Sequence, residues 1–142
     1  MKMIVTLLVA FGVSLALAQK DDIAQRKHKL STYAALAEAP ESARTRTNPF
    51  EGSPREATAG GKLFEQHCAE CHGPKAGGTR QGPSLLCEEI QQAAPRALFW
   101  ILTNGVVRRG MPVWSKLPEQ QRWQIVTFLQ SMSAHATGPA SP

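Results

Sequence analysis

Apolar residues recur at helical spacing in the middle and near the end of the chain. Between residues 54 and 68, one side of a helix would carry Ala57, Gly60, Gly61, Phe64 and Cys68. Between residues 118 and 132, a second apolar stripe comprises Trp123, Ile125, Val126, Phe128, Leu129 and Met132. No stretch alternates apolar and polar residues for long enough to indicate a strand. The pattern therefore predicts an all-α fold.

The start of the first of these helices is marked by capping residues. Ser53 can accept a hydrogen bond from an amide of the first turn, and Pro54 suits the first helical position because it has no N–H to satisfy. Glu56 can reach back to the cap. The sequence therefore predicts that the helix begins at residue 54.

Weaker signals predict three further elements. A middle helix is expected over residues 95–102, with Asn104 and Gly105 supplying the left-handed conformation that ends helices. A short turn is expected over residues 87–92, and a helix over residues 22–39 is possible.

The first 18 residues have the order of a secretory signal. Lys2 precedes an apolar stretch over residues 3–15, and a small-residue cleavage sequence ends at Ala18. The apolar stretch is shorter than the roughly 20 residues that span a bilayer, and an uncleaved anchor is the alternative interpretation. We expect residues 1–18 to be removed and the mature protein to be periplasmic.

The rest of the chain divides into three parts by composition. We expect a polar N-terminal extension over residues 19–52, a helical domain over residues 53–133 and a flexible tail over residues 134–142. The whole chain has a formal net charge of +5, which falls to about +4 when Lys2 leaves with the signal. This excess is too small to indicate a nucleic-acid partner. Membrane contact is expected only through partner proteins or an uncleaved signal.

The residues Cys68-Ala69-Glu70-Cys71-His72 form a C-x-x-C-H motif, the signal for covalent attachment of c-type haem. Two thiols at this spacing can add to the two vinyl groups of a porphyrin, and the imidazole of the next residue can then reach the iron. A redox dithiol and half of a zinc site are the alternatives. The first lacks a βαβ context, and Cys87 and His67 do not complete the second.

Beyond the motif, residues 53–132 resemble the class I cytochrome c family. The matching features are the placement of the motif after Gly60 and Phe64, the sequence Gly82-Pro83-Ser84-Leu85, the Met111-Pro112 pair and the final amphipathic helix. The resemblance implies a small all-α domain wrapped around one covalent haem c.

The same resemblance implies particular contacts. Gly60 would meet the last helix near Ile125 and Phe128, with Phe64 packed in the crossing. The Pro83 carbonyl would accept a hydrogen bond from the imidazole that ligates the iron.

Met111 is the candidate for the sixth iron ligand, opposite His72. It lies in a loop, whereas Met132 lies on the apolar stripe of the last helix and two other methionines leave with the signal. Pairing of Met with His raises the reduction potential of the iron and suits electron transfer. A second histidine, His28 or His135, and an open sixth position are the alternatives.

Other residues have simpler explanations. Cys87 is expected to behave as a small buried apolar residue, with a reactive thiol as the alternative. Trp100 and Trp114 are expected to pack in the core. A set of basic residues could form a rim around an exposed haem edge or be scattered solvated charge: Lys75, Arg80, Arg108, Arg109 and Lys116.

These features predict an electron-transfer protein rather than an enzyme. We expect a periplasmic one-electron carrier between a donor dehydrogenase or membrane complex and a terminal oxidase or reductase. One alternative is a cytochrome subunit bound tightly to a larger oxidoreductase. The other is a gas-binding or peroxidatic haem protein with a labile sixth ligand.

Overall fold

The computed structural model describes residues 19–20, 22–23, 27, 33–41, 43 and 46–136, with only the backbone described for residues 133–136. The chain divides into two compact units, Met1–Ala34 and Ala35–Pro142. In the first unit, the described residues 19, 20, 22, 23, 27 and 33 are helical. The signal peptide predicted for residues 1–18 lies outside the described residues, as does much of the helix predicted over residues 22–39.

The described part of the second unit is built from helices. In chain order they are α1 (Pro54–His67), α2 (Ala69–His72), α3 (Glu88–Gln91), α4 (Pro95–Asn104) and α5 (Glu119–Ala136). Short 3-10 helices cover Ala34–Leu36 and Val107–Arg109. Within the described residues, extended pairing is limited to an isolated antiparallel bridge between Val106 and Met111. The predicted all-α fold is confirmed. No helix in the described part of the chain has the length and apolar character needed to cross a membrane.

Helix α1 begins where its capping residues predict. The Ser53 hydroxyl accepts a hydrogen bond of 3.4 Å from the Glu56 amide, and Pro54 occupies the first helical position. The helix ends as the Cys68 amide donates to the Phe64 carbonyl at 2.8 Å. The chain therefore leaves α1 at the first cysteine of the motif.

The core of the unit lies where α1 crosses α5. A Cβ atom on Gly60 would lie 1.9 Å from the Gln124 carbonyl oxygen and 3.0 Å from the Ile125 amide, so glycine is needed for this approach. Phe64 is fully buried in the crossing, with its ring centroid 5.3 Å from that of Phe128. This confirms the contact that the family resemblance implied at Gly60. Phe128 lies over the neighbouring Gly61.

Helix α4 packs on α5 through aromatic rings. Phe99 and Trp123 stack with centroids 4.1 Å apart and an interplanar angle of 19°. The Arg122 guanidinium lies 4.7 Å from the Phe99 centroid on α4, and its Nε donates to the Leu117 carbonyl at 3.2 Å. The helix runs to Asn104, two residues beyond the predicted end, and holds the start of the loop that carries Met111.

Part of the predicted polar extension is packed against α5. Asn48 is buried, and its side-chain nitrogen Nδ2 donates to the Thr127 hydroxyl at 3.0 Å and to the side-chain Oε1 of Gln130 at 3.3 Å. The Phe50 amide donates back to the Asn48 side chain at 3.0 Å. Asn48 therefore contacts α5 from before the predicted domain boundary at residue 53, and that boundary stays a prediction.

The last helix extends beyond its predicted end. We expected it to cover residues 118–132, and α5 runs from Glu119 to Ala136. The added residues include two alanines, the best helix former, so the backbone has a local reason to continue. Residues 137–142, most of the predicted tail, lie outside the described residues.

Candidate haem-attachment site

The C-x-x-C-H motif is folded as one tight helical turn. Cys68 ends α1, and its carbonyl accepts hydrogen bonds from the Cys71 amide at 3.2 Å and from the His72 amide at 2.9 Å. Both cysteines are free thiols and half-buried. A spacing of three residues on a helix places the two side chains on one face. The turn therefore presents two thiols and an imidazole from five consecutive residues.

The environment of Cys68 disfavours a charged sulfur. Burial raises the pKa of its thiol from 9.0 to about 11, and the charge of the nearby Cys71 sulfur adds to the shift. A thioether carries no charge, so the same burial does not oppose it. The position suits a sulfur bonded to a porphyrin better than a free thiolate.

His72 is oriented by a backbone carbonyl. Its Nδ1 lies 2.9 Å from the Pro83 carbonyl oxygen. Because a carbonyl oxygen can only accept, Nδ1 carries a proton, and in the neutral ring the lone pair is then on Nε2. The contact implied by the family resemblance is confirmed, and it leaves the imidazole in the tautomer that can ligate a metal.

The loop between the motif and Pro83 is closed around this hydrogen bond. The Thr79 hydroxyl donates to the Cys71 carbonyl at 2.5 Å, and the Thr79 amide donates to the Gly82 carbonyl at 2.8 Å. A Cβ atom on Gly82 would lie 2.9 Å from the Cys71 carbonyl oxygen and 3.1 Å from Nδ1 of His72. Thr79 was missed by the sequence analysis, because a threonine in a polar loop carries no signal that distinguishes it.

Met111 lies on the loop where it was predicted. The loop leaves α4, forms the 3-10 helix Val107–Arg109 and pairs Met111 with Val106 through backbone hydrogen bonds of 3.0 and 3.3 Å. Met111 is half-buried, and Val107 and Val113 on the same loop are exposed. The thioether thus sits on a segment of defined backbone structure.

Trp114 has a different place from the one we predicted. It is half-buried, and its ring centroid lies 5.3 Å from that of His67, at the end of α1. The expected core packing is therefore replaced by a contact between the Met111 loop and the residue that precedes the motif. Trp100 is half-buried on α4.

Cys87 is also half-buried, with its Sγ 3.6 Å from the Ser84 carbonyl oxygen. It is a free thiol, and its role as a small apolar residue stays a prediction. The basic residues considered for a rim are all exposed: Lys75, Arg80, Arg108, Arg109 and Lys116.

Two histidines were considered as alternative iron ligands, and the structure does not describe the side chain of either. His28 and the side chain of His135 lie outside the described part of the chain. Within that part, no group of three or more His, Cys, Asp or Glu side chains could hold a metal ion.

The residues of this site fit a covalently attached haem. They offer two thiols on one helical turn, an imidazole held at Nδ1 by a backbone carbonyl, and a thioether on the loop that follows α4. A sequence model of the family described as cytochrome C oxidase, cbb3-type, subunit III, matches residues 55–129, more than half of the chain. The chain belongs to this family.

Membership identifies a c-type cytochrome domain, whose cofactor is covalently attached haem c with its iron. It indicates an electron-transfer haem protein. The matched residues lie inside the domain predicted over residues 53–133. No curated protein and no solved structure gives a significant match to this chain.

Proposed function

We propose that this c-type cytochrome is a periplasmic one-electron carrier with His72 and Met111 as the axial ligands of its haem iron. Cys68 and Cys71 hold the haem through thioether bonds. The observation that carries the proposal is the hydrogen bond between Nδ1 of His72 and the Pro83 carbonyl, because in the neutral imidazole it leaves the Nε2 lone pair available to a metal. Bound haem c supplies a reversible Fe(II)/Fe(III) couple.

The protein's residues determine how that couple is used. If His72 and Met111 both hold the iron of bound haem, no coordination site would be left for a substrate, which suits a carrier better than an enzyme. The Pro83 carbonyl keeps the His72 proton on Nδ1 throughout, so oxidation and reduction require no proton movement at the ligand. A Met ligand with a His ligand favours a higher reduction potential than two histidines.

The surface of the Met111 loop suits brief encounters with a redox partner. Val107 and Val113 are 67% and 51% exposed, with Arg108 and Lys116 beside them in the chain and also exposed. Apolar side chains among positive charges favour an acidic partner that docks quickly and leaves quickly. The partners we propose are a donor dehydrogenase or membrane complex and an acceptor oxidase or reductase.

The ligand pair is tested by replacing Met111. In the oxidised holoprotein we expect the weak far-red absorption band of thioether-ligated haem in the wild type and its loss in Met111→Ala. Met132→Ala, a half-buried methionine on α5, is the matched control and should keep the band. A wild type that lacks the band and binds carbon monoxide readily when reduced would instead be a gas-binding or peroxidatic haem protein.

The family description supports a second candidate function, that of a subunit held permanently in a cbb3-type oxidase. Size-exclusion chromatography of a detergent extract with haem detection separates the two. A permanent subunit co-migrates with a large complex at low and high salt. A carrier elutes as a small protein, and its electron-transfer rate falls as salt screens the basic loop.

A further inference from the structure

Backbone hydrogen bonds shape the loop that carries Met111 and tie it to α4. Val106 and Met111 exchange two bonds, and the Trp114 amide donates to the Leu102 carbonyl at 2.9 Å. The Val106–Met111 bonds lie within the loop itself, and the bond to Leu102 ties its far end back to α4. They shape the loop without joining it directly to the C-x-x-C-H turn.

A ring contact makes that direct connection. The His67 imidazole and the Trp114 indole have centroids 5.3 Å apart and planes inclined by 53°, a tilted arrangement that aromatic pairs favour. His67 is the last residue of α1 and precedes Cys68, and Trp114 follows Met111 by three residues. The pair therefore links the helix end that bears the first cysteine to the segment that bears the methionine.

We propose that His67 and Trp114 are positioning residues for the Met111 ligand. Their ring contact holds the Met111 loop against the end of α1, so that the thioether stays within reach of the iron. This inference rests on the proposed function, because it takes Met111 to be the sixth ligand.

The contact matters because the bond that it supports is weak. A neutral thioether is a poor electron-pair donor compared with an imidazole, so its occupancy depends on how firmly its loop is held. His72 has its own support in the Pro83 carbonyl, whereas the side chain of Met111 depends on the loop. An aromatic contact of this type changes an equilibrium roughly two- to tenfold.

Imidazole binding to the oxidised holoprotein measures how often Met111 is displaced. We expect His67→Ala and Trp114→Ala each to raise the apparent association constant for imidazole roughly two- to tenfold. The double variant should bind imidazole no more tightly than the stronger single variant, because both changes remove one contact. His67→Phe keeps a ring and should restore the wild-type value.

Gln66→Ala is the matched control, since Gln66 is exposed on the same turn of α1. All variants are compared at equal covalent haem content, so that a defect in attachment is not read as a change in ligation. The positioning role is wrong if the two single variants bind imidazole like the wild type, or if their effects multiply in the double variant.

The far-red band separates this inference from the proposed function. If the wild type shows the band while His67→Ala leaves imidazole binding unchanged, the positioning role alone is overturned. If the wild type lacks the band and binds imidazole as tightly as Met111→Ala does, the ligand assignment fails and the inference fails with it.

Discussion

His72 is held by a hydrogen bond that determines where its proton lies. A carbonyl acceptor at 2.9 Å from Nδ1 removes the choice between the two neutral tautomers. The acceptor is the backbone carbonyl of Pro83, and proline has no backbone N–H that could donate to the imidazole. Gly82 lets the carbonyl approach, because a Cβ atom at this position would be too close to the Cys71 carbonyl and to the His72 imidazole. At the residue scale, the backbone of residues near Gly82 and Pro83 thus determines how the His72 imidazole is held.

Gly82→Ala should disturb the position of the His72 imidazole. The added methyl group would lie 2.9 Å from the Cys71 carbonyl oxygen and 3.1 Å from Nδ1 of His72, too close for either to stay in place. We expect the free energy of unfolding of the holoprotein to fall by about 1–3 kcal/mol, measured by guanidinium denaturation followed at the haem absorption band. Gly77→Ala is the control in the same loop, because its added Cβ has no neighbour within 4 Å.

The two glycine variants should differ clearly. Gly77→Ala is expected to stay within about 0.5 kcal/mol of the wild type. Equal losses in both variants would mean that the loop, rather than the contact with His72, is sensitive to added side chains.

Helices α1 and α5 cross so closely that a single side-chain position decides their distance. Gly60 faces the backbone of Gln124, which cannot move without shifting α5, whereas Gly61 faces the side chain of Phe128 at 3.2 Å. A flexible ring can turn aside and a helix backbone cannot. At the scale of elements, an added methyl group is therefore expected to cost more stability at Gly60 than at the adjacent Gly61.

Gly60→Ala and Gly61→Ala test this difference. Both changes favour the isolated helix by about 1 kcal/mol, so any loss of stability comes from the crossing. We expect Gly60→Ala to lower the free energy of unfolding by about 3 kcal/mol or more and Gly61→Ala to have a much smaller effect. Thermal unfolding of the two holoproteins gives the order, and a reversed order would contradict the crossing described here.

Residues that lie before the first long helix pack against the helical domain. Asn48, in the N-terminal extension, is buried against α5, where it contacts Thr127 and Gln130. Nearby, Arg46 pairs with Glu119 and lies 5.2 Å from the Phe99 centroid. A compact unit bounded at residue 53 would therefore lose contacts with both α4 and α5.

Asn48→Ala should loosen this part of the molecule. Thr127 keeps a partner, since its hydroxyl also donates to the Trp123 carbonyl at 2.8 Å, so the expected loss of stability is about 1–2 kcal/mol. Thr47→Ala, at an exposed neighbour, is the control and should have little effect. Limited proteolysis should cut Asn48→Ala faster near Arg46, and equal cleavage of both variants would contradict a stabilising role for the Asn48 contacts with α5.

Local features of the sequence were sufficient for the helices and the haem motif. The cap at Ser53 and Pro54, the C-x-x-C-H spacing and the apolar stripe of α5 each depend on residues within one or two turns of each other. Composition and spacing therefore predicted the fold class, the cofactor and the candidate residues Cys68 and Cys71. The family resemblance added the partners of Gly60 and Pro83, which spacing alone could not supply.

Only the tertiary structure decided contacts between residues far apart in the chain. The burial that raises the Cys68 pKa, the ring contact of His67 with Trp114 and the burial of Asn48 depend on how the helices pack. A polar or aromatic residue type is compatible with a core, a surface or an interface between segments. The sequence by itself determined which elements form, because their signals are local, whereas helix packing determined which side chains meet.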